Sequence, residues 1–223
     1  MTRIRDNIIG EYHHLYNRGV HKMTIFRDKA DYIKFLFSIL YLQSPILIPN
    51  SFRIINAFSP DGFPFALEEQ EQIVKARFVE LVAFCIMPNH FHLLVREVVE
   101  GGIAAYMQRV SLSYTNHFNA KYATSGHVFE NRYKSKRIQD DQQLMYLSAY
   151  IHRNPRELRQ WKNKEEAYPY SSLQDYVDKN RWGNLLATDI VAGRFYATPH
   201  SNYRDFVRTS PAKVLEEEFG YSK

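Results

Sequence analysis

Two imidazoles stand two residues apart in Met87-Pro88-Asn89-His90-Phe91-His92-Leu93-Leu94-Val95, inside a segment that otherwise reads as a buried strand. Residues at i and i+2 of a strand point to the same face, so His90 and His92 present two nitrogen donors side by side. The apolar run 81–86 before them reads as a partner strand, with Met87-Pro88-Asn89 as the tight turn between the two. The pair then lies beside a hairpin, where a ligand can reach it. Neutral imidazole is a common ligand for divalent metals, but two ligands are too few for a site. A third donor and a reacting group must come from elsewhere in the chain.

The segment 142–154 offers both. It reads as a helix, on which Tyr150 and Asn154 are i, i+4 and share a face, while His152 points elsewhere. Pro155 places Asn154 at the helix end, which leaves its amide oxygen free to coordinate. Packed over the sheet near His90 and His92, this face makes a site of two imidazoles, one amide oxygen and one phenol.

The elements that must position these groups follow from periodicity and punctuation. Residues 10–17 read as a first strand, closed by Arg18-Gly19. Asp28 caps an expected helix over 29–43, with Tyr32, Phe35, Leu36, Ile39 and Leu40 at helical spacing. The Pro-rich stretch 44–77 reads as an insertion ending in an acidic helical piece at 67–75. Strands follow at 78–86 and 90–97. Gly101-Gly102 then introduces a helix over 103–122, and Ser125-Gly126 breaks it before a basic strand at 127–138. Asp140 or Asp141 caps the helix that carries Tyr150, and Ser210-Pro211 opens a last helix at 212–219. The order β-α-β-β-α-β predicts an α+β fold of the ferredoxin-like, RRM-like split βαβ kind. Its antiparallel sheet carries helices on one face, with a tyrosine-bearing helix and a C-terminal extension added. The expected division is a catalytic domain over 1–160, including the insertion, and an extension over 161–223 packed on it.

Composition narrows the setting. One cysteine, Cys85, excludes an internal disulfide and a Cys-rich zinc cluster. No run of about 18 apolar residues predicts a membrane span, and the N-terminus lacks the apolar core of a signal peptide, so a cytoplasmic location is expected. Between 102 and 164, eleven Lys and Arg face four acids, which makes the rest of the chain net acidic although the whole carries +5. Such a confined basic patch is the footprint of a polyanion partner. Aromatics interleaved with Lys and Arg, as in Phe129-Glu130-Asn131-Arg132-Tyr133-Lys134-Ser135-Lys136-Arg137, suit single-stranded nucleic acid, whose bases stack on rings.

Three ordered motifs then resemble a known family. They are Pro88-Asn89-His90-Phe91-His92-Leu93-Leu94, the stretch Ser125-Gly126-His127-Val128-Phe129-Glu130-Asn131-Arg132-Tyr133-Lys134-Ser135, and Tyr150-Ile151-His152-Arg153-Asn154-Pro155. Together they resemble the single-tyrosine HUH transposases, in the branch of REP-associated tyrosine transposases. Tyr12-His13-His14-Leu15-Tyr16-Asn17-Arg18-Gly19 is similar to the family's first strand, and Tyr168-Pro169-Tyr170-Ser171-Ser172 resembles a segment after its catalytic helix. The resemblance implies that His90 and His92 hold a divalent metal, with Asn154 at the place of a polar third ligand; Mg²⁺ or Mn²⁺ is expected from abundance, and the nitrogen ligands would also accept Zn²⁺, Co²⁺ or Ni²⁺. It implies that Tyr150 is the nucleophile, with Tyr146 one turn earlier as runner-up. The implied activity is cutting and rejoining of single-stranded DNA beside hairpins through a 5′-phosphotyrosine. Arg132, Lys134, Lys136, Arg137, Arg153 and Arg156 are the expected DNA contacts. A monomer is expected, with a dimer as the alternative. A non-catalytic hairpin-binding descendant is the competing reading, and the intact His, His, Tyr set argues against it. A barrel-type amidohydrolase is a poorer fit, because the strand and helix order does not supply the barrel.

Overall fold

Alternation along one strand divides the molecule in two. Phe91, Leu93 and Val95 enter one core, while His92 and Leu94 face the other way. The computed structural model describes residues 9–48, 58–62, 66–196 and 203–211. Its strands are β1 (Tyr12–Arg18), β2 (Val79–Met87), β3 (His90–Glu97) and β4 (Lys134–Arg137), in one antiparallel sheet of order β2-β3-β1-β4. The helices are α1 (Lys29–Tyr41), α2 (Leu67–Lys75), α3 (Gly102–Tyr122), α4 (Asp141–Arg153), α5 (Leu173–Val177), α6 (Asp189–Tyr196) and α7 (Tyr203–Thr209). With α1 and α3 as the two crossovers, the sheet order is that of the expected split βαβ fold.

The first core lies between the sheet and the two crossover helices. Leu15, Phe84 and Leu93 pack there against Phe35 and Ile39 of α1 and Tyr106 and Tyr114 of α3. Asp28 caps α1 by accepting from the backbone N–H groups of Ala30 and Asp31. The second core covers the opposite face: Cys85, Met87 and Leu94 of the sheet meet Leu147 and Ile151 of α4, then Val191 and Tyr203 from the extension. Both faces of β2 are therefore covered, which is why 79–87 is buried throughout and 81–87 reads as a continuous apolar run, with the buried Glu80 before it ion-paired to Arg77 and Arg96. Its outer edge is closed by the segment after 167, where Ile86 N–H donates to Tyr170 O (2.9 Å) and Ser172 N–H to Phe84 O (3.0 Å).

Three local differences from the sequence expectations have physical reasons. The strand expected over 127–138 is reduced to four residues, because Val128 and Phe129 turn inward to the first core and Phe129 bridges to Gly19. The helix over 142–154 is capped by Asp140, whose side chain accepts from Gln143 N–H, and a 3₁₀ turn at Asn154–Glu157 follows it. Pro155, at the start of that turn, needs no N–H there. The extension holds α5, α6 and α7, which the sequence pattern did not resolve, and the helix expected at 212–219 lies outside the described residues. Among the described residues no helix is long and apolar enough to cross a membrane.

Candidate active site

Antiparallel pairing sets the floor of a cavity of about 280 Å³ at one end of the sheet. Tyr16 of β1 lies opposite His92 of β3, and Arg18 opposite His90, so these four side chains share the face that α4 crosses. Tyr150 and Asn154 come down onto that face from α4 and its 3₁₀ turn. The Tyr150 ring stands edge-on to His92, with centroids 5.5 Å apart. Lys22, Asn89, Glu130, Lys134 and Glu157 complete much of the wall. Gly19 lets the chain turn sharply from β1 toward Lys22, since a Cβ there would meet Met23 O at 2.4 Å.

Hydrogen bonds around His90 and Asn154 fix what each presents to the cavity. Asn89 Nδ2 donates to Lys22 O (3.2 Å), which orients the Asn89 amide and aims its Oδ1 at His90 Nδ1, 2.7 Å away. An amide oxygen only accepts, so His90 Nδ1 carries the proton and, in the neutral ring, Nε2 bears a lone pair. Asn154 Nδ2 donates to Tyr150 O (2.9 Å) and Ile151 O (3.4 Å), leaving Asn154 Oδ1 turned toward His90 Nε2 at 3.4 Å. Two acceptors thus face one another, an arrangement that a shared cation satisfies. Neighbouring ligands about 2.1 Å from one ion are themselves roughly 3.0–3.4 Å apart, which matches this separation.

His92 supplies a second imidazole. It is 6% exposed, and its Nδ1 lies 2.9 Å from Nε2 of the fully buried His14. Burial, followed by the neighbouring His14 and His90, holds the His92 pKa well below the usual imidazole range. Burial likewise brings His14 to about 3, with Lys136 adding to the effect. Both rings are therefore neutral at pH 7, the form in which an imidazole can ligate. Two imidazoles and an amide oxygen fit a hard or borderline divalent ion that keeps further positions for water or substrate. Among the described residues no group of three or more His, Cys, Asp or Glu is arranged to hold an ion, so Asn154 is needed to complete this donor set.

The structure brings together His90, His92, Tyr150, Asn154 and Lys134 among the residues expected from sequence. It disperses the others. Arg132 lines a neighbouring groove between α3 and the 127–133 loop, which shares Asn17 and Glu130 with the first cavity. Lys136 lies across from His14 on β4, and Arg137 is ion-paired with Glu11. Arg156 pairs with Glu165 and, with Arg153, borders a small cavity beside Arg204 and Arg208 of α7. Tyr146 packs on Phe206, with ring centroids 5.4 Å apart, and does not line the cavity. Sequence reasoning did not single out His14, Tyr16, Arg18 or Lys22 as parts of the site. The signal was available in β1, where Tyr12, His14, Tyr16 and Arg18 alternate on the face that carries His90 and His92.

Fold and cavity together define an α+β domain with a tyrosine set beside two histidines and an amide. Residues 66–154 match the family model described as transposase, IS200 like, a stretch that runs from just before α2 to the asparagine of the cavity. A solved REP-associated tyrosine transposase bound to a REP hairpin shares the fold, at TM-score 0.52 and 12% identity, over 85% of this chain and 93% of that one. A candidate transposase from Deinococcus radiodurans aligns at TM-score 0.36 and 13% identity, over 74% of this chain and 98% of that one, a score too low to bear on the fold. No curated protein sequence matches the chain at a significant level.

Proposed function

We propose that this protein is a metal-dependent single-stranded DNA endonuclease and strand transferase of the REP-associated tyrosine transposase kind, cutting beside DNA hairpins. The observation that carries the reading is the facing acceptor pair of His90 Nε2 and Asn154 Oδ1, 3.4 Å apart and under the same helix as the Tyr150 phenol. His90, His92 and Asn154 would hold Mg²⁺ or Mn²⁺. When bound, such an ion supplies charge that polarises a non-bridging oxygen of the scissile phosphate.

Everything else falls to side chains of the chain itself. A free phenol near pKa 10 is only about 0.1% ionised at pH 7, so Tyr150 depends on being held in line with the phosphate. Its helix is anchored for that purpose through His152 two residues on, bound to Tyr203 and Ser172 of the extension. In the proposed step the bond from the Tyr150 oxygen to phosphorus forms and the phosphorus–O3′ bond breaks. A proton passes, in net, from the phenol to the departing 3′ oxygen. The phosphotyrosine conserves the phosphodiester, so a 3′-hydroxyl can reverse the reaction and rejoin strands with no external energy source. Lys22 and Lys134 on the cavity wall suit the flanking phosphates, and the Tyr16 ring suits a stacked base. The hairpin held by the fold neighbour supports hairpin DNA as the substrate class.

A labelled hairpin oligonucleotide incubated with protein and Mn²⁺, then run on a denaturing gel, tests the reading. A covalent adduct is expected, and it should disappear with excess chelator and in Tyr150→Phe. Hairpin binding with no adduct in any metal would instead favour the non-catalytic binder.

A further inference from the structure

His14 and Asn89 occupy equivalent places behind the two imidazoles, and only one of them has an unambiguous role. Asn89 Oδ1 can only accept, so it alone decides that His90 is protonated on Nδ1. His14 Nε2, 2.9 Å from His92 Nδ1, can either accept or donate. The two outcomes are not equivalent for the cavity. If His14 donates, the His92 proton sits on Nε2, and the cavity meets an N–H that repels a cation. If His14 accepts, the proton sits on His92 Nδ1 and the cavity meets a lone pair.

We propose that His14 is a positioning residue that accepts from His92 Nδ1–H, fixing the tautomer and ring plane in which His92 Nε2 can ligate the divalent ion. The inference rests on the metal reading above and goes beyond it by assigning a role to a residue that touches neither ion nor substrate. His14 lies outside the cavity wall and is fully buried, so it is not itself a ligand. Its ring is held on two sides. It stacks on Tyr16 with centroids 4.7 Å apart and planes 22° from parallel, and it lies 14° from the plane of His92 at 5.0 Å. A ring so confined cannot swing away to leave His92 Nδ1 without its partner. The diagonal placement across β1 and β3 explains the contact: His14 pairs in register with Leu94, one same-face position from His92. Buried partners of this kind orient metal-binding histidines, and removing one typically weakens metal affinity by about 10–100-fold.

Mn²⁺ binding to the DNA-free protein, followed by the EPR signal of unbound Mn²⁺, separates this role from a packing role. His14→Leu removes the acceptor and should raise the Mn²⁺ dissociation constant about 10–100-fold. His14→Gln restores an acceptor oxygen at similar reach and should stay within about threefold of wild type. Mn²⁺ binding by wild type that His14→Leu leaves unchanged would overturn the role of His14 while sparing the metal site. Wild-type protein that binds no Mn²⁺ would overturn the metal reading and this assignment with it. Should His14→Leu not fold, ¹⁵N spectra of the wild-type imidazoles decide. They should show His92 protonated on Nδ1, and a proton on His92 Nε2 would overturn the proposal.

Discussion

His152 gives the most quantitative prediction, because its environment ties the tyrosine helix to the rest of the molecule. It is fully buried, with Nδ1 2.6 Å from the Tyr203 hydroxyl and Nε2 2.7 Å from Ser172 Oγ. Burial lowers its pKa to about 3. In the unfolded chain a histidine titrates near ~6.5, so below that pH the unfolded state takes up a proton that the folded state refuses. Its folded-state pKa is depressed, so the stability it contributes is present above pH ~6.5 and is lost as the pH falls toward 3. The loss is RT ln(1 + 10^(6.5 − pH)), which is roughly 0.2 kcal/mol at pH 7.0 and roughly 1.4 kcal/mol at pH 5.5. One such histidine therefore costs about 1.2 kcal/mol between these two conditions, and the buried His14 should cost a similar amount. Urea unfolding of wild type and His152→Gln at both pH values isolates the term, since all other groups cancel in the double difference. The variant should be less stable at pH 7.0 by about 1–3 kcal/mol, for its disturbed buried hydrogen bonds. Its further loss on going to pH 5.5 should be smaller than that of wild type by about 1.2 kcal/mol. Equal pH dependence in the two proteins would refute the argument that burial keeps His152 neutral.

Four further outcomes follow from particular contacts. Tyr146→Phe should leave adduct formation on hairpin DNA within about twofold of wild type on a denaturing gel, because the Tyr146 ring packs on Phe206 and its hydroxyl does not line the cavity. Lys134→Ala should weaken hairpin binding and flatten the slope of log K against log salt by about 0.7–0.9, read by fluorescence anisotropy. Arg137→Ala should flatten it less, since Glu11 already neutralises that guanidinium. Trp182→Ala should destabilise the fold by about 3–5 kcal/mol in urea unfolding, because the fully buried indole joins the extension to the first core and stacks on Phe58.

The sequence was most readable where local spacing and geometry coincide. His90 and His92 share a face because a strand has period two, and Tyr150 and Asn154 share one because they are four apart on a helix. Caps and breakers marked the ends of most elements, Asp28 and Asp140 among them. What stayed hidden depends on residues that meet only after folding. The basic run 132–137 gave no sign that Arg137 would be held by Glu11, more than a hundred residues earlier, or that Arg156 would be held by Glu165. Val128 and Phe129 look like strand residues until the first core claims them, which shortens β4. The role of His14 was obscured by its neighbour His13, since only the register of β1 on β3 shows which of the two sits behind His92. The short helices of the extension carry too few turns for a period to emerge.

The central claim is that one phenol, Tyr150, becomes the covalent anchor for DNA. Proteolysis of the adduct formed with a hairpin oligonucleotide and Mn²⁺, followed by mass spectrometry, locates the modified residue directly. The account predicts a single nucleotide-bearing peptide, with the phosphate on Tyr150 and attached to the 5′ end of the cleaved strand. Attachment at Tyr16, Tyr146 or any other side chain, or a link to the 3′ end, would contradict it.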